Sequence, residues 1–512
     1  MSNDSLLGNQ QANTLINQAI TWCGLHGLMY TDGVMTWSHA PIAFVPNPYP
    51  RTSFNSLTHL QPVINKLIDR ISRDKTFLVS HLSEVSKADP FTGKLLEIFE
   101  GLDEEEIKTG LSFGILRSDY MLNSVEDKEY PLQIEINTIA SSFGCLSRRV
   151  GELHKYLLNR NADITVLNQL LKLSAVADDD SKTCSDVASI VHDRIPENPS
   201  LSSLAASLAQ AHNVYKQKIG TASTSTSEPL IVFVVQPNER NVADQRLLEN
   251  EIWTSHQVSV QFHTLQYLYE NSFVNEQQEL CLKGKEGEET KVSVVYYRAG
   301  YTPDDYPTDM QWQARIRMEH SNAIKCPNIG YHLAGTKKIQ QVLCQPGVLE
   351  QYLDSNECQQ LRATFAEQHS LGSMKTSASD AAVANAIKDG SNWVLKPQRE
   401  GGGNNLYGEE LSAFLASHEG DNAVLDGYIL MQRIFPSQQS SIFLRLQADK
   451  LEYLPSVSEL GVYGTYLAQG GEAEQVLMNE YAGYLLRSKP AGVDEGGVAT
   501  GYSVLNSIAL MD

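Results

Sequence analysis

Lys396-Pro397-Gln398-Arg399-Glu400-Gly401-Gly402-Gly403-Asn404-Asn405-Leu406-Tyr407-Gly408-Glu409-Glu410 is the stretch on which the fold turns. Trp393-Val394-Leu395-Lys396 reads as a strand, so the glycines open a loop directly at a strand end. Lacking a Cβ, they let backbone N–H groups approach phosphate oxygens closely. Lys396 adds an ammonium at the same place, and Glu400 is a hard oxygen donor suited to the Mg²⁺ that accompanies ATP. Three glycines alone would fit a flexible hairpin; the strand lysine and the glutamate narrow the reading. The spacing is neither a Walker A loop, which needs Gly-Lys-Ser/Thr, nor the G-x-G-x-x-G of a kinase. It implies an ATP-consuming enzyme whose glycine-rich loop closes on the phosphates.

Working outward, Leu132-Gln133-Ile134-Glu135-Ile136-Asn137 alternates with a period of two and predicts a strand whose polar face carries Gln133, Glu135 and Asn137. Residues two apart on a strand share a side, so Glu135 and Asn137 can converge on one cation. An isolated Glu-x-Asn is more often a plain exposed strand face. Its weight here comes from pairing with Glu400. The region before Pro131 reads mainly as helix, with Val63, Ile64, Leu67, Ile68 and Ile71 at helical spacing. Another helical stretch runs to about Ala211, and the Ser/Thr-rich segment Gly220 to Pro229 is the best linker candidate.

Leu230 to Val235 is the continuous apolar run of a buried parallel strand. A helix around Asp244 to Ile252 and a strand over Val292 to Arg298 follow, as in a compact α/β unit. Helices are expected around 337–389, a strand over Tyr428 to Ile434, and a second glycine cluster at Asp494-Glu495-Gly496-Gly497. The chain therefore divides into 1–228, 229–336 and 337–512.

Composition bounds the class. The 512 residues exceed one simple core, and 42% hydrophobic with 20% charged residues is ordinary for a globular protein. A formal charge of -21 disfavours nucleic-acid or anionic-membrane partners, so every cation beside a glycine-rich loop gains interest. Seven scattered cysteines with no Cys-x-x-Cys pair imply reduced thiols and a cytoplasmic protein, with no zinc spacing, signal peptide or membrane-length apolar run. Among the cations, Arg117, Arg487 and Lys489 are each most simply surface ion-pair residues. Arg298 stands apart because it ends an apolar strand just before Gly300, where α/β ligand sites lie. Cys145 has no histidine nearby in sequence and reads as a structural thiol, as His59, His320 and His332 read as structural.

From Arg117 to Ala499 the sequence resembles the eukaryotic-type glutathione synthetases of the ATP-grasp superfamily. The residues that carry the likeness are Leu116 to Met121, Glu135 to Ile139, Glu239-Arg240-Asn241 with Gln245, Arg298 with Tyr301, Leu333 to Lys338, the Lys396 to Glu410 block, Ser458 to Gly461, and Leu486-Arg487 through Ala499. The resemblance implies an α/β (α+β) ATP-grasp fold. In it 1–228 and 337–512 supply the core and a Gly-rich lid, and 229–336 is an inserted α/β substrate-binding subdomain. It also implies ligation of γ-glutamylcysteine and glycine with ATP through an acylphosphate, Mg²⁺ as cofactor, and a homodimer.

By the same resemblance, Glu135, Lys337, Lys396, Gly401, Gly402, Asn405, Tyr407, Met431, Gln432, Arg433, Ile434, Glu459, Lys489 and Glu495 hold ATP, while Glu135, Asn137 and Glu400 coordinate Mg²⁺. Arg117, Ser142, Glu239, Asn241, Gln245, Arg298 and Tyr301 bind the dipeptide donor, and Ile139, Ala140 and Ser141 belong to the substrate site, donor or acceptor. Arg487, Val498 and Ala499 shape the acceptor site, and Arg117 and Arg487 are the catalytic candidates.

The chain departs from the family pattern at Ala140, where the family has Ser, at Ala299 and Gln432, where acidic residues are usual, and at Glu495, where Asp is usual. None is a proposed metal ligand, so activity is expected to survive. A different small acceptor such as β-alanine or serine, or a non-catalytic nucleotide-binding regulator, are the competing readings.

Overall fold

The alternation at Leu132 to Asn137 belongs to the strand Lys128–Asn137, which pairs antiparallel with Leu111–Val125. That partner carries no alternation because it is buried on both faces for most of its length, which erases the period-two signal. The computed structural model describes residues 10–31, 36–126, 128–176, 183–218, 228–284, 288–399, 403–472 and 474–512. Glu400, Gly401 and Gly402, and 220–227 of the Ser/Thr-rich segment, lie outside the described residues.

The pairing of these two strands corrects one expectation. Asp119 lies opposite Glu135 but Tyr120 lies opposite Gln133, so Ile134 is an extra residue in the ladder. The bulge takes Gln133 off the face shared by Glu135 and Asn137, and its amide donates to the Tyr120 hydroxyl at 3.4 Å.

Leu111–Val125 continues into a seven-stranded sheet through Leu451–Gln469, Gln475–Pro490, Val504–Asn506, Ile42–Ala43 and Gln439–Leu444. Gln439–Leu444 also pairs with Leu451–Gln469, so one end of the sheet closes on itself. A second sheet, mostly parallel, is centred on Leu230–Val234 and Glu289–Tyr297, with Val260–His263 and Ile324–Cys326 beside them. A third, antiparallel sheet runs in the order Gln368–Ser370, Tyr428–Gln432, Trp393–Pro397, Leu406–Tyr407. It has its own small core, including Leu371, Leu395, Leu411, Leu415 and Leu430, and it carries the root of the glycine-rich loop.

Element ends differ from the sequence expectations by a few residues. The strand expected over Val292 to Arg298 is Glu289–Tyr297, the one from Tyr428 stops at Gln432, and the helix around Asp244 is Val242–His256. The stretch 337–389 is not wholly helical. Gln368–Ser370 within it is an edge strand of three residues, too short for any periodicity to mark.

The helix Arg51–Ser72 buries Ile64, Leu67, Ile68 and Ile71 against the long strands, as its spacing predicts. It also buries Asn65. That amide accepts from Gln61 at 2.9 Å and donates to Asn479 Oδ1 at 3.0 Å, with the backbone oxygens of Glu480 and Thr465 at 3.2 and 3.4 Å. Asn65 thus satisfies sheet carbonyls that a leucine would strand, and Asn65→Leu is expected to destabilise the fold by about 1–3 kcal/mol. The urea midpoint measures this, and an unchanged midpoint would show that the network adds nothing.

His154 bridges the Ser507 hydroxyl at 2.6 Å and the Ala43 carbonyl at 2.9 Å, tying the helix Gly144–Arg160 to the sheet. Burial pushes its pKa down to about 4. Its folded value lies below the ordinary histidine value of about 6.5, so the unfolded chain takes up the proton first. Stability should therefore fall as pH drops from about 6.5 towards about 4. Urea midpoints across this window should show a slope that His154→Gln reduces by close to one proton; an equal slope in both proteins would refute the assignment.

Candidate active site

Four neighbouring strands present their side chains in register on one face. Asn137 stands opposite Arg117, Glu135 and Gly461 stand opposite Asp119, and Glu459 stands opposite Arg487. Gly461 is dictated by this arrangement, because a Cβ there would meet Asp119 Oδ1 at 2.7 Å and Arg117 Cδ at 2.8 Å. Asp119, fully buried, is the hub. Arg117 donates to it through Nε at 2.7 Å and Nη2 at 2.8 Å, Arg487 at 3.0 Å and Asn137 at 3.0 Å. Arg487 also pairs with Glu459.

The sequence reading missed Asp119. It sits two residues from Arg117, and only recognition of Leu111–Val125 as a strand would have placed the two side chains together.

This face floors a cavity of about 540 Å³ whose opposite wall comes from the third sheet and from the loop 491–500. Arg117, Glu135, Asn137, Ile139, Ala140, Ser142, Tyr301, Lys337, Lys396, Asn405, Tyr407, Met431, Gln432, Arg433, Ile434, Glu459, Arg487, Lys489, Glu495, Val498 and Ala499 all line it. Ser141 does not; it is buried, and its hydroxyl turns to the Asn137 carbonyl at 3.3 Å. Glu239, Asn241, Gln245 and Arg298 lie outside that lining. Glu239 accepts from the Gln245 amide at 2.8 Å and from the Asn241 backbone at 2.7 Å. Arg298 pairs at 3.1 Å with Asp244, which in turn takes the backbone N–H groups of Phe143, Cys145 and Leu146 at the start of the helix Gly144–Arg160. Cys145 is buried there, and burial with the neighbouring Asp244 pushes its thiol up, away from reactivity. Glu400, Gly401 and Gly402 lie outside the described residues.

The charges are set by pairing against burial. Burial alone would raise the Glu135 carboxyl, but Lys337, whose Nζ is 3.0 Å away, and Lys396 hold it well below the usual carboxylate range. Burial would likewise lower the Arg117 guanidinium, and Asp119 keeps it well above its ordinary value. The Glu459 carboxyl is raised, by burial first and by the nearby charges of Asp119 and Glu135, despite Arg487.

The two parts of the facing wall are tied to each other at several points, and Lys489 ties them to the floor. Glu495 Oε2 accepts from Gly403 N at 2.7 Å and Oε1 from Asn405 N at 3.2 Å, so backbone groups of the glycine-rich loop already hold an anionic oxygen pair. Arg433 pairs with Asp494, and Lys489 donates to the Asp494 carbonyl at 2.6 Å. Arg399, at the loop's root, pairs with Asp89. Gln432 spends its amide oxygen on the Glu367 N–H at 3.2 Å, fixing the edge strand Gln368–Ser370. Ala140 lines the cavity in the left-handed region at φ 51°, a conformation strained for a residue with a Cβ.

Comparison with known proteins fits this geometry. The family model for the eukaryotic glutathione synthase ATP-binding domain matches residues 9–510. The chain is similar to the chloroplastic glutathione synthetase of Solanum lycopersicum, at 40% identity over 97% of this chain and 84% of that protein. It is also similar to the glutathione synthetases of Dictyostelium discoideum, at 34% identity over 97% and 99% of the two chains, and of Mus musculus, at 35% over 92% and 90%. A solved structure of a glutathione synthetase-like effector from Globodera pallida, in its apo form, shares the fold with a TM-score of 0.73 at 20% identity over 99% of each chain. With the matched region spanning nearly its whole length, the chain belongs to the eukaryotic glutathione synthase family.

Proposed function

We propose that this chain joins γ-glutamylcysteine to glycine, converting ATP to ADP and phosphate through an acylphosphate on the donor carboxylate. The observation that carries this reading is the convergence of Arg117, Lys337, Lys396, Arg487 and Lys489 on one cavity, each held by a carboxylate or carbonyl. The donor carboxylate and the γ-phosphate are both anionic. Fixed positive charge offsets their repulsion without reorganising at the moment of reaction.

In the first step a donor carboxylate oxygen attacks the γ-phosphorus, the bond to the bridging oxygen breaks, and ADP leaves. Lys337, Lys396, Asn405, Tyr407, the 431–434 segment, Glu459, Lys489 and Glu495 form the nucleotide's surroundings, and Arg117 with Arg487 stabilises the transferring group. In the second step glycine's amine attacks the acyl carbon and phosphate departs, taking up the proton the amine sheds. Val498 and Ala499 border that acceptor site beside Arg487. Asn241, whose amide atoms are both buried with no protein partner, supports a donor site reaching towards Glu239, Gln245 and Arg298 behind Tyr301. An acylphosphate hydrolyses in water, so the loop that meets Glu495 serves best as a closing lid.

The donor set suits Mg²⁺. Asn137 commits its amide nitrogen to Asp119 and Glu135, so its amide oxygen and the Glu135 carboxylate are the candidate donors, with Glu400 the third. Among the described residues no group of three His, Cys, Asp or Glu forms a cage. Mg²⁺ takes one or two carboxylates and completes its shell with phosphates and water. When bound, it would neutralise phosphate charge. The same reading has the protein working in the cytoplasm as a homodimer. The seven scattered cysteines, with no Cys-x-x-Cys pair, support the first, and the family resemblance supports the second.

Two outcomes are expected. ADP release with γ-glutamylcysteine should be fastest with glycine in a panel including β-alanine and serine. A preference within the panel for another amine would move the acceptor assignment, and no ADP with any amine would leave a nucleotide-binding module. Glu135→Ala should lower turnover by about a hundredfold or more and raise the Mg²⁺ concentration for half-maximal rate, with the circular dichroism spectrum intact. A folded variant with near-normal turnover and Mg²⁺ dependence would remove Glu135 from both roles.

A further inference from the structure

Tyr301 lines the cavity from a loop between the strand Glu289–Tyr297 and the helix Asp309–Glu319. The loop begins where Glu289–Tyr297 ends and turns sharply at Gly300, whose φ of +93° is open to glycine and poorly tolerated by other residues. One carboxylate fixes the turn. Asp305 Oδ2 accepts from the backbone N–H groups of Gly300 at 2.8 Å, Tyr301 at 3.1 Å and Thr302 at 3.3 Å. Its other oxygen accepts from the Gln236 amide at 2.9 Å, and the same amide nitrogen lies 3.4 Å from the Tyr301 hydroxyl. Behind the turn, the Tyr306 hydroxyl donates to the Gly300 carbonyl at 3.2 Å while its ring stacks on Trp312 at 3.8 Å.

We propose that Asp305 is a positioning residue for the donor dipeptide, locking the Gly300–Thr302 turn and, through Gln236, the Tyr301 hydroxyl against the donor end of the cavity. Three consecutive N–H groups converging on one oxygen leave the turn a single low-energy shape, and Gln236 extends that order from backbone to side chain. Burial, with the charges of Asp305 and Glu239, pushes the Tyr301 phenol up to about 12, so near neutral pH it presents a hydroxyl able to donate to a substrate carboxylate. Ala299, just before the turn, is buried among apolar side chains, and the turn's carboxylate is Asp305.

The proposal rests on the ligase reading above, and steady-state kinetics of the full chain separate the two. Wild-type protein that releases no ADP with γ-glutamylcysteine and glycine would overturn the ligase reading itself. With wild type active, Asp305→Asn should raise the KM for γ-glutamylcysteine about tenfold and leave the KM for ATP unchanged. Tyr301→Phe should raise the same KM, and the double variant should be no worse than the poorer single one. An unchanged dipeptide KM, an equal rise for ATP, or additive effects would each overturn the positioning role. Should Asp305→Asn fail to fold, Gln236→Leu cuts the bridge to Tyr301 without touching the turn's N–H groups. A rise in dipeptide KM alone supports the proposal, and no rise overturns it.

Discussion

Asp119 is the carboxylate around which the candidate site is organised. It is fully buried, so its charge must be met by neighbours rather than by water, and Arg117, Arg487 and Asn137 converge on it from its own strand and two others of the same sheet. Burying a carboxylate between two guanidinium groups is a weak source of net stability, because desolvation offsets most of the attraction. Its value is geometric. The pairing fixes both arginines at the floor of the cavity before any substrate arrives, and it explains why the strand opposite must carry Gly461.

The same balance runs outward. Glu135 draws Lys337 and Lys396, Glu459 draws Arg487, and the Asp494 carbonyl takes Lys489, so these cations at the cavity are already held by oxygens of the protein. Such a site is electrostatically complete, and under the proposed function an incoming phosphate would compete with carboxylates for cations already in position. Glu495 makes the point most directly. Its two oxygens occupy the backbone N–H groups of Gly403 and Asn405, part of the glycine-rich loop suited to phosphate oxygens. An acidic chain of net charge -21 thereby concentrates cations at one cavity.

Much of this was legible in residue order. Lys396 at a strand end followed by Glu400 and three glycines announced nucleotide chemistry, and the ordered motifs from Arg117 to Ala499 pointed to the family that the comparisons support. The period-two run at Glu135 and Asn137 gave the correct shared face. It failed at Gln133 because a bulge at Ile134 is a property of the pairing and leaves no mark on the strand's own sequence. Leu111–Val125 escaped for the opposite reason, since a strand buried on both faces has no alternation to read.

The sequence by itself determined the ATP-dependent reaction class, through family likeness, and the identity of most cavity residues. Those depend on residue types and local spacing, which survive translation into one dimension. Only the tertiary structure decided that Asp119 is the hub, that Arg298 sits behind the cavity paired with Asp244, and that Asp305 holds the turn carrying Tyr301. Each of these is an alignment of side chains set by strand register, a bulge or a turn. Register comes from how strands meet, and no single strand contains it.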